Sequence, residues 1–317
     1  MNETKIKEKI EFKHITTDDK RIYEDFLAKE DIVIGESERG CEFSFANIYL
    51  WGRQYVSFRD GHAILFSQFD RRSVYPYPVG SGDKKAAIDA IIADSIARGI
   101  PCRITGITPS ARVTIEQLYP GRFRFHSDEG SFDYVYSIDD LADLPGKKYD
   151  GKRNHVRRFT DAYPDFAALP IDESNIGAVR KMANEWFDAR LAENPDADFH
   201  MERAALERAF RDYRELSMEG LVIKNDGEIL AFTLASRMSE DTFDVHFEKA
   251  VPNVQGAYAI VNREFARYIR EKYPNVRYLD REEDMGLEGL RRAKQSYKPV
   301  RMIKKCWACL LEDGYDY

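Results

Sequence analysis

Three ionisable side chains stand at alternate positions in Thr242-Phe-Asp-Val-His-Phe-Glu-Lys249. Period-two alternation predicts a strand with Asp244, His246 and Glu248 on one face and Phe243, Val245 and Phe247 on the other. Partial burial and mutual repulsion raise a carboxylate's pKa toward neutrality, which suits proton transfer and makes Glu248 or His246 the candidate general base. A solvent-facing sheet surface carries the same alternation. Three same-face positions of one strand are weak evidence for metal ligation, and no metal is expected.

The second concentration of charge runs from Tyr278 to Pro299. A short strand pattern enters Arg281, Glu282, Glu283 and Asp284, and a helix follows. Asp284 is placed to cap it, Gly286 lies in its first turn, Leu287, Leu290, Ala293 and Tyr297 recur at helical spacing, and Pro299 stops it. Carboxylates at a strand end ahead of a helix bearing Arg291 and Lys294 provide a pocket for a charged substrate. A salt-bridged surface helix has the same composition. This stretch and the 242–249 strand flank one βαβ crossover, so Glu282 and Glu248 are expected in one pocket on one face of the sheet.

The elements that must position these groups occur twice. Tyr75–Asp83 is a glycine loop opening onto an amphipathic helix, Lys84–Arg98, and a strand at Cys102–Thr105. Later a hairpin turns at Asn225-Asp-Gly227, the 242–249 strand follows, and the loop Asn253–Tyr258 opens a helix from Ala259 to Lys272 before a strand at Val276–Asp280. The recurrence predicts an α/β (α+β) protein of two tandem units, each a mixed twisted sheet flanked by helices, covering 1–138 and 139–317. A helix is expected to open the second unit near Asp150.

Helix starts attract anions, yet the 253–258 loop has Gly256 as its one glycine and the bulky Tyr258 beside it, a poor cradle for pyrophosphate. Basic residues gather at Lys147, Lys148, Lys152, Arg153, His155, Arg157 and Arg158, with Asn154 among them, and again from Arg291 to Lys305. Converging, they form a positive stripe for RNA phosphates or a lipid headgroup; apart, they are solvated faces.

The remaining composition excludes several classes. A net charge of −7 over 317 residues leaves no global attraction to polyanions, so any such contact is local. No run approaches the roughly 18 apolar residues of a membrane span, and the charged start lacks a signal peptide's core, so a cytoplasmic location is expected. Four scattered cysteines exclude a disulfide framework.

The chain resembles the bacterial family that shares its domain with the C-terminal catalytic part of phosphatidylglycerol lysyltransferases. The resemblance runs from about residue 24 to 304 and rests on Asn47-Ile-Tyr-Leu-Trp51, Lys152-Arg-Asn-His155 with Phe159, His246-Phe-Glu-Lys-Ala250, Gly256-Ala-Tyr258, and Arg281 through Arg291 to Tyr297. It implies a tandem acetyltransferase-like (GNAT) fold akin to enzymes that move an amino acid from aminoacyl-tRNA to a lipid or a peptidoglycan precursor. The lysyltransferases carry a large membrane domain ahead of this part; none is expected here, which leaves the acceptor open.

Three functions are then expected to compete. In aminoacyl transfer, tRNA is the donor and partner, held by Lys152, Arg153, Asn154, His155, Arg157, Gly256 and Arg291. Glu248 or His246 acts as base on a small-molecule or lipid-headgroup acceptor, with Asp244, Arg281, Glu282, Glu283, Asp284 and Lys294 around the aminoacyl group. In coenzyme A-dependent N-acylation, acetyl-coenzyme A is the cofactor and Tyr297 protonates the leaving thiolate. A duplicated fold could also bind a cationic metabolite or peptide without catalysis.

Overall fold

A computed structural model describes residues 9–34, 38–69 and 72–311. The first sheet begins with β1 (Lys13–His14) beside β2 (Arg53–Arg59). A two-residue turn, Asp60-Gly61, with both φ positive at 49° and 77°, returns the chain as β3 (His62–Phe69). β4 (Arg72–Pro76) pairs with β3 on one side and lies parallel to β6 (Arg103–Ile107) on the other; the short β5 (Val79–Gly80) also pairs with β3. Of the flanking helices α1 (Lys20–Ile34), α2 (Phe45–Leu50), α3 (Lys84–Arg98) and α4 (Pro109–Leu118), α3 makes the parallel crossover. Asp83 caps α3 by accepting from the Lys85 and Ala86 amides, Gly99 ends it at φ 68°, and Ala87, Ile88 and Ile91 are buried.

β7 (Phe123–His126) completes the first sheet only through segment Cys306–Leu310, which lies between β6 and β7. The first unit therefore comprises residues up to Phe132 together with those from Ile303 on, and the second runs from Asp133 to Met302. The chain crosses twice, not once after residue 138. Val135 and Tyr136, which the expected boundary assigned to the first half, pair with Asp280 and Leu279, and Tyr134 and Tyr136 join the second core.

The second sheet has the order β14-β8-β13-β12-β11-β10-β9, where β8 is Asp133–Ser137, β9 Ala167–Pro170, β10 Met218–Asn225, β11 Glu228–Arg237, β12 Thr242–Ala250, β13 Tyr278–Asp280 and β14 Arg301–Ile303. Cys306–Leu310 is then β15. Asp226-Gly227 makes the expected hairpin turn, again with both φ positive. β12 and β13 pair in parallel, and α9 (Ala257–Lys272) is their crossover. Ile260, Val261, Phe265 and Ile269 of α9 are fully buried against Phe243, Val245 and Leu279, each side chain contributing on the order of 1.5–3 kcal/mol of apolar burial. α5 (Ile138–Asp143) and α6 (Asp150–Ala162) also pack against α9, whereas α7 (Ile176–Glu193) and α8 (His200–Arg211) cover the opposite face. The short α10 (Glu288–Gln295) follows β13.

Among the described residues, no helix is long and apolar enough to cross a membrane. Both units show the expected plan, a mixed sheet whose parallel pair is joined by one helix.

Candidate functional site

Strand alternation fails in β12 at one residue. Leu234 pairs with Phe247 and Ala235 with Val245, so His246 is an extra residue on β12, a β-bulge. On β11, Ala231 and Ala235 face α9, and so do their partners Ala250 and Val245. Glu248, opposite Thr233, shares that face and reaches Asn262 of α9. Lys249 lies on the other face, bonded to Glu202 of α8 with its ammonium 3.8 Å from the Trp186 ring centre of α7. Asp244, opposite Ser236, lies on that same side. The expected single row of Asp244, His246 and Glu248 is therefore divided between the two faces, because one inserted residue reverses the alternation that follows it.

β13 repeats the division. Leu279 packs with Phe243 on the α9 face, and Arg281, two residues on, donates from Nη2 to Glu248 Oε1 at 2.9 Å. Asp280 pairs with Asp244, and Glu282 meets His246 Nδ1 at 3.1 Å. Glu282 and Glu248 thus lie on opposite faces, against the expected shared pocket.

The α9 face holds the denser polar set. Glu248 and Arg281 side chains are 11% and 14% exposed. Glu248 accepts from Arg281 on Oε1 and from Asn262 Nδ2 on Oε2, at 3.3 Å. Arg281 lies over the rings of Tyr297 and Tyr136, 5.0 and 5.7 Å from their centres. Lys152 turns inward from α6 and places Nζ 3.6 Å from the centre of the Tyr297 ring. Burial, then repulsion from Arg281, pulls the Lys152 ammonium down to about 8, against the opposing pull of Glu248. Burial raises the Tyr297 phenol above its ordinary value.

Two atoms of this set are buried without a partner, Arg281 Nη1 and Asn262 Oδ1. Asn262 interrupts the apolar stripe of α9, between Tyr258 and Phe265 at helical spacing. That interruption was the sequence signal for it, and it was missed.

On the opposite face the His246 ring is enclosed. Nε2 lies 2.8 Å from Ser236 Oγ and Nδ1 lies 3.5 Å from Asp244, besides its contact with Glu282. One ligand atom from each of Asp244, His246 and Glu282 falls within 4.8 Å of the others, a spacing compatible with a cation. Both ring nitrogens are engaged and the side chain is fully buried, so His246 cannot reach a substrate held beside Glu248.

Much of Tyr278–Pro299 shapes the loop instead. Asp284 does not cap the helix, which begins at Glu288. Its carboxylate accepts from the Gly286 amide, from Tyr134 Oη at 2.6 Å and from Arg291 at 2.8 and 3.1 Å. Arg291 is the main cause that draws Asp284 down to about 2, so Arg291 is committed to Asp284. Lys294 is buried and donates to the carbonyls of Arg281, Glu282 and Glu283, pinning the loop from beneath. Glu283 enters this network through its carbonyl.

The basic segment of α6 divides similarly. Arg153 donates to the carbonyls of Leu144 and Gly146 and pairs with Asp150, while Asn154, His155 and Arg157 are exposed. Gly256, at φ 84°, precedes α9, and a Cβ there would stand 2.3 Å from the His155 carbonyl oxygen. The glycine admits the α6 backbone to this helix start, which accounts for it without a bound anion.

Residues 36–309 match the family described as phosphatidylglycerol lysyltransferase, C-terminal. A solved protein of unknown function from Bacteroides thetaiotaomicron is similar at 35% identity with a TM-score of 0.86, covering 95% of this chain and all of that one. L-PGS from Bacillus licheniformis is similar in fold, with a TM-score of 0.64 at 17% identity over 92% of this chain and 91% of that one. A tandem GNAT protein from the clavulanic acid biosynthesis pathway gives 0.50 at 9% identity over 97% and 99%. An uncharacterised protein of Mycoplasmoides gallisepticum is 25% identical over 179 residues, and the chain spans 56% of that relative's length.

Proposed function

The chain belongs to the phosphatidylglycerol lysyltransferase C-terminal family, and on that premise we propose that its second unit transfers an aminoacyl group from aminoacyl-tRNA to an amine or hydroxyl acceptor. The fold is that of GNAT-like acyltransferases, which supports acyl transfer as the reaction class. The observation that carries the reading is the Glu248–Arg281–Asn262 set, where buried polar groups converge beside the parallel strands β12 and β13.

Transfer forms a bond from the acceptor N or O to the ester carbonyl carbon and breaks the bond from that carbon to the ribose oxygen. The acceptor's proton leaves and the ribose oxygen gains one. Arg281 Nη1, a buried donor that the protein leaves open, holds the acceptor in place beside the ester. Glu248 orients the attacking group. Lys152, with a pKa of about 8, exchanges protons near neutral pH. Exposed Asn154, His155 and Arg157 on α6 are available to tRNA phosphates.

The coenzyme A alternative is weakened at both crossover helices. Gly256 is accounted for by α6 packing, and Asp83 places a carboxylate on the α3 amides that a pyrophosphate would need.

The test is release of a radiolabelled amino acid from charged tRNA into lipid, peptide and small-molecule acceptor pools. Wild-type transfer lost about a hundredfold or more in Glu248→Gln and Arg281→Lys supports the proposal. Acyl transfer from acetyl-coenzyme A alone, or no product from any donor, overturns it.

A further inference from the structure

Two orphaned atoms at the candidate site have opposite polarity. Arg281 Nη1 is a buried donor without an acceptor, and Asn262 Oδ1 is a buried acceptor without a donor. They belong to side chains that bond to the two different oxygens of one carboxylate, Glu248 Oε1 and Oε2, so they flank a single short span. Asn262 is 3% exposed, and its amide cannot be reversed without turning its oxygen onto the Glu248 carboxylate. Beside them, Lys152 Nζ rests on the Tyr297 ring and has no hydrogen-bond acceptor among the described residues.

Buried polar atoms are ordinarily satisfied, so these two call for partners that the protein itself does not supply. Arg281 Nη1 together with Lys152 calls for an anionic oxygen, and Asn262 Oδ1 calls for an N–H. A phosphate would use the two cations but would leave Asn262 Oδ1 without a donor. It would also bring a doubly charged group against Glu248.

We propose that this cluster holds an α-carbon bearing both a carboxylate and an N–H, with the carboxylate on Arg281 and Lys152 and the N–H on Asn262. That chemistry belongs to a free amino acid or to the C-terminal residue of a peptide. The inference rests on the reading above that this face binds substrate, and it names the class of the acceptor.

Isothermal titration of the full chain tests it with alanine, N-acetylalanine, alaninamide, propionate and inorganic phosphate. Alanine or N-acetylalanine should bind at least about tenfold more tightly than alaninamide, which lacks the carboxylate, and than propionate, which lacks the N–H. Alanine as the tighter ligand identifies the free amino acid as occupant; N-acetylalanine identifies the peptide terminus.

N-acetylalanine stays ionised at neutral and alkaline pH, so a fall in its affinity as pH rises through about 8 reports Lys152 losing its charge. Lys152→Met should abolish that fall, and Asn262→Leu should erase the preference over propionate. Equal binding of alaninamide, preference for phosphate, or no binding of either carboxylate at millimolar concentration overturns the inference. Aminoacyl transfer without carboxylate binding would refute this inference alone, whereas carboxylate binding without transfer would refute the transfer reading alone.

Discussion

Glu248 and Arg281 offer the sharpest test of how the candidate site is held. Replacing Glu248 by Gln keeps the side chain's shape and removes its charge. The Arg281 guanidinium then remains largely buried, with Lys152 close enough to perturb it and no carboxylate to offset either. Two unit charges about 4 Å apart at an effective dielectric near 20 interact by about 4 kcal/mol, and breaking a buried pair from one side costs about 3–5 kcal/mol. Partial exposure of both side chains places Glu248→Gln at the lower end, about 3 kcal/mol, and Arg281→Met at a similar value. The double variant should cost about 3–4 kcal/mol, not 6, because the second change removes the charge that the first left stranded.

Of the three tryptophans, Trp186 alone lies in the second unit, so a Trp51→Phe/Trp307→Phe background makes urea unfolding by fluorescence a report on that unit. Simple additivity of the two changes, or a cost below about 1 kcal/mol for each, would refute the picture of one coupled buried pair.

Lys152→Met should stabilise the second unit at neutral pH. The folded-state pKa, about 8, lies below the usual lysine value of 10.5, so the charged form is disfavoured in the fold, and the penalty is full below 8 and fades as pH rises toward 10.5. Denaturation midpoints of wild type and variant should converge across that window. Asp284→Asn should destabilise the second unit by about 2–4 kcal/mol, since Arg291, Tyr134 and the Gly286 amide all lose a charged acceptor; the Trp186 signal should report it. Lys294→Met should remove the ammonium from three carbonyls, of which Glu282's keeps the Tyr134 amide, and limited proteolysis should then cut within residues 281–287 well before the rest of the unit. Gly256→Ala should cost about 3 kcal/mol or more, because its Cβ meets the His155 carbonyl and its φ is left-handed.

The helices and hairpins were legible because local chemistry settles them. Lys84–Arg98 begins and ends where Asp83 and Gly99 require, and the two Asp-Gly turns sit at the hairpins they predict. The recurrence of glycine loop, helix and strand gave the tandem plan, and the family resemblance gave its GNAT-like form. The site was only half legible. Glu248, Arg281, Lys152 and Tyr297 do come together, but their separation from Asp244, His246 and Glu282 depends on the bulge at His246. A bulge is chosen by how β12 matches β11, and no residue of β12 announces it in isolation. Asp284 and Lys294 looked like substrate contacts because a charged loop network and a charged pocket have the same composition; only their burial against backbone partners tells them apart. The second crossing between units was missed because Cys306–Leu310 reads as a short apolar strand whatever sheet receives it.

That last strand sets an order of events during synthesis. β15 sits between β6 and β7, so the first sheet lacks an interior strand until residues near 310 have emerged. Some 180 residues separate β7 from β15, about 10–40 s at usual elongation rates. Throughout that interval the edges of β6 and β7 have unfilled hydrogen-bonding positions, and the 133–302 segment, contiguous in sequence, has all the strands it needs. The half made first is therefore the half finished last.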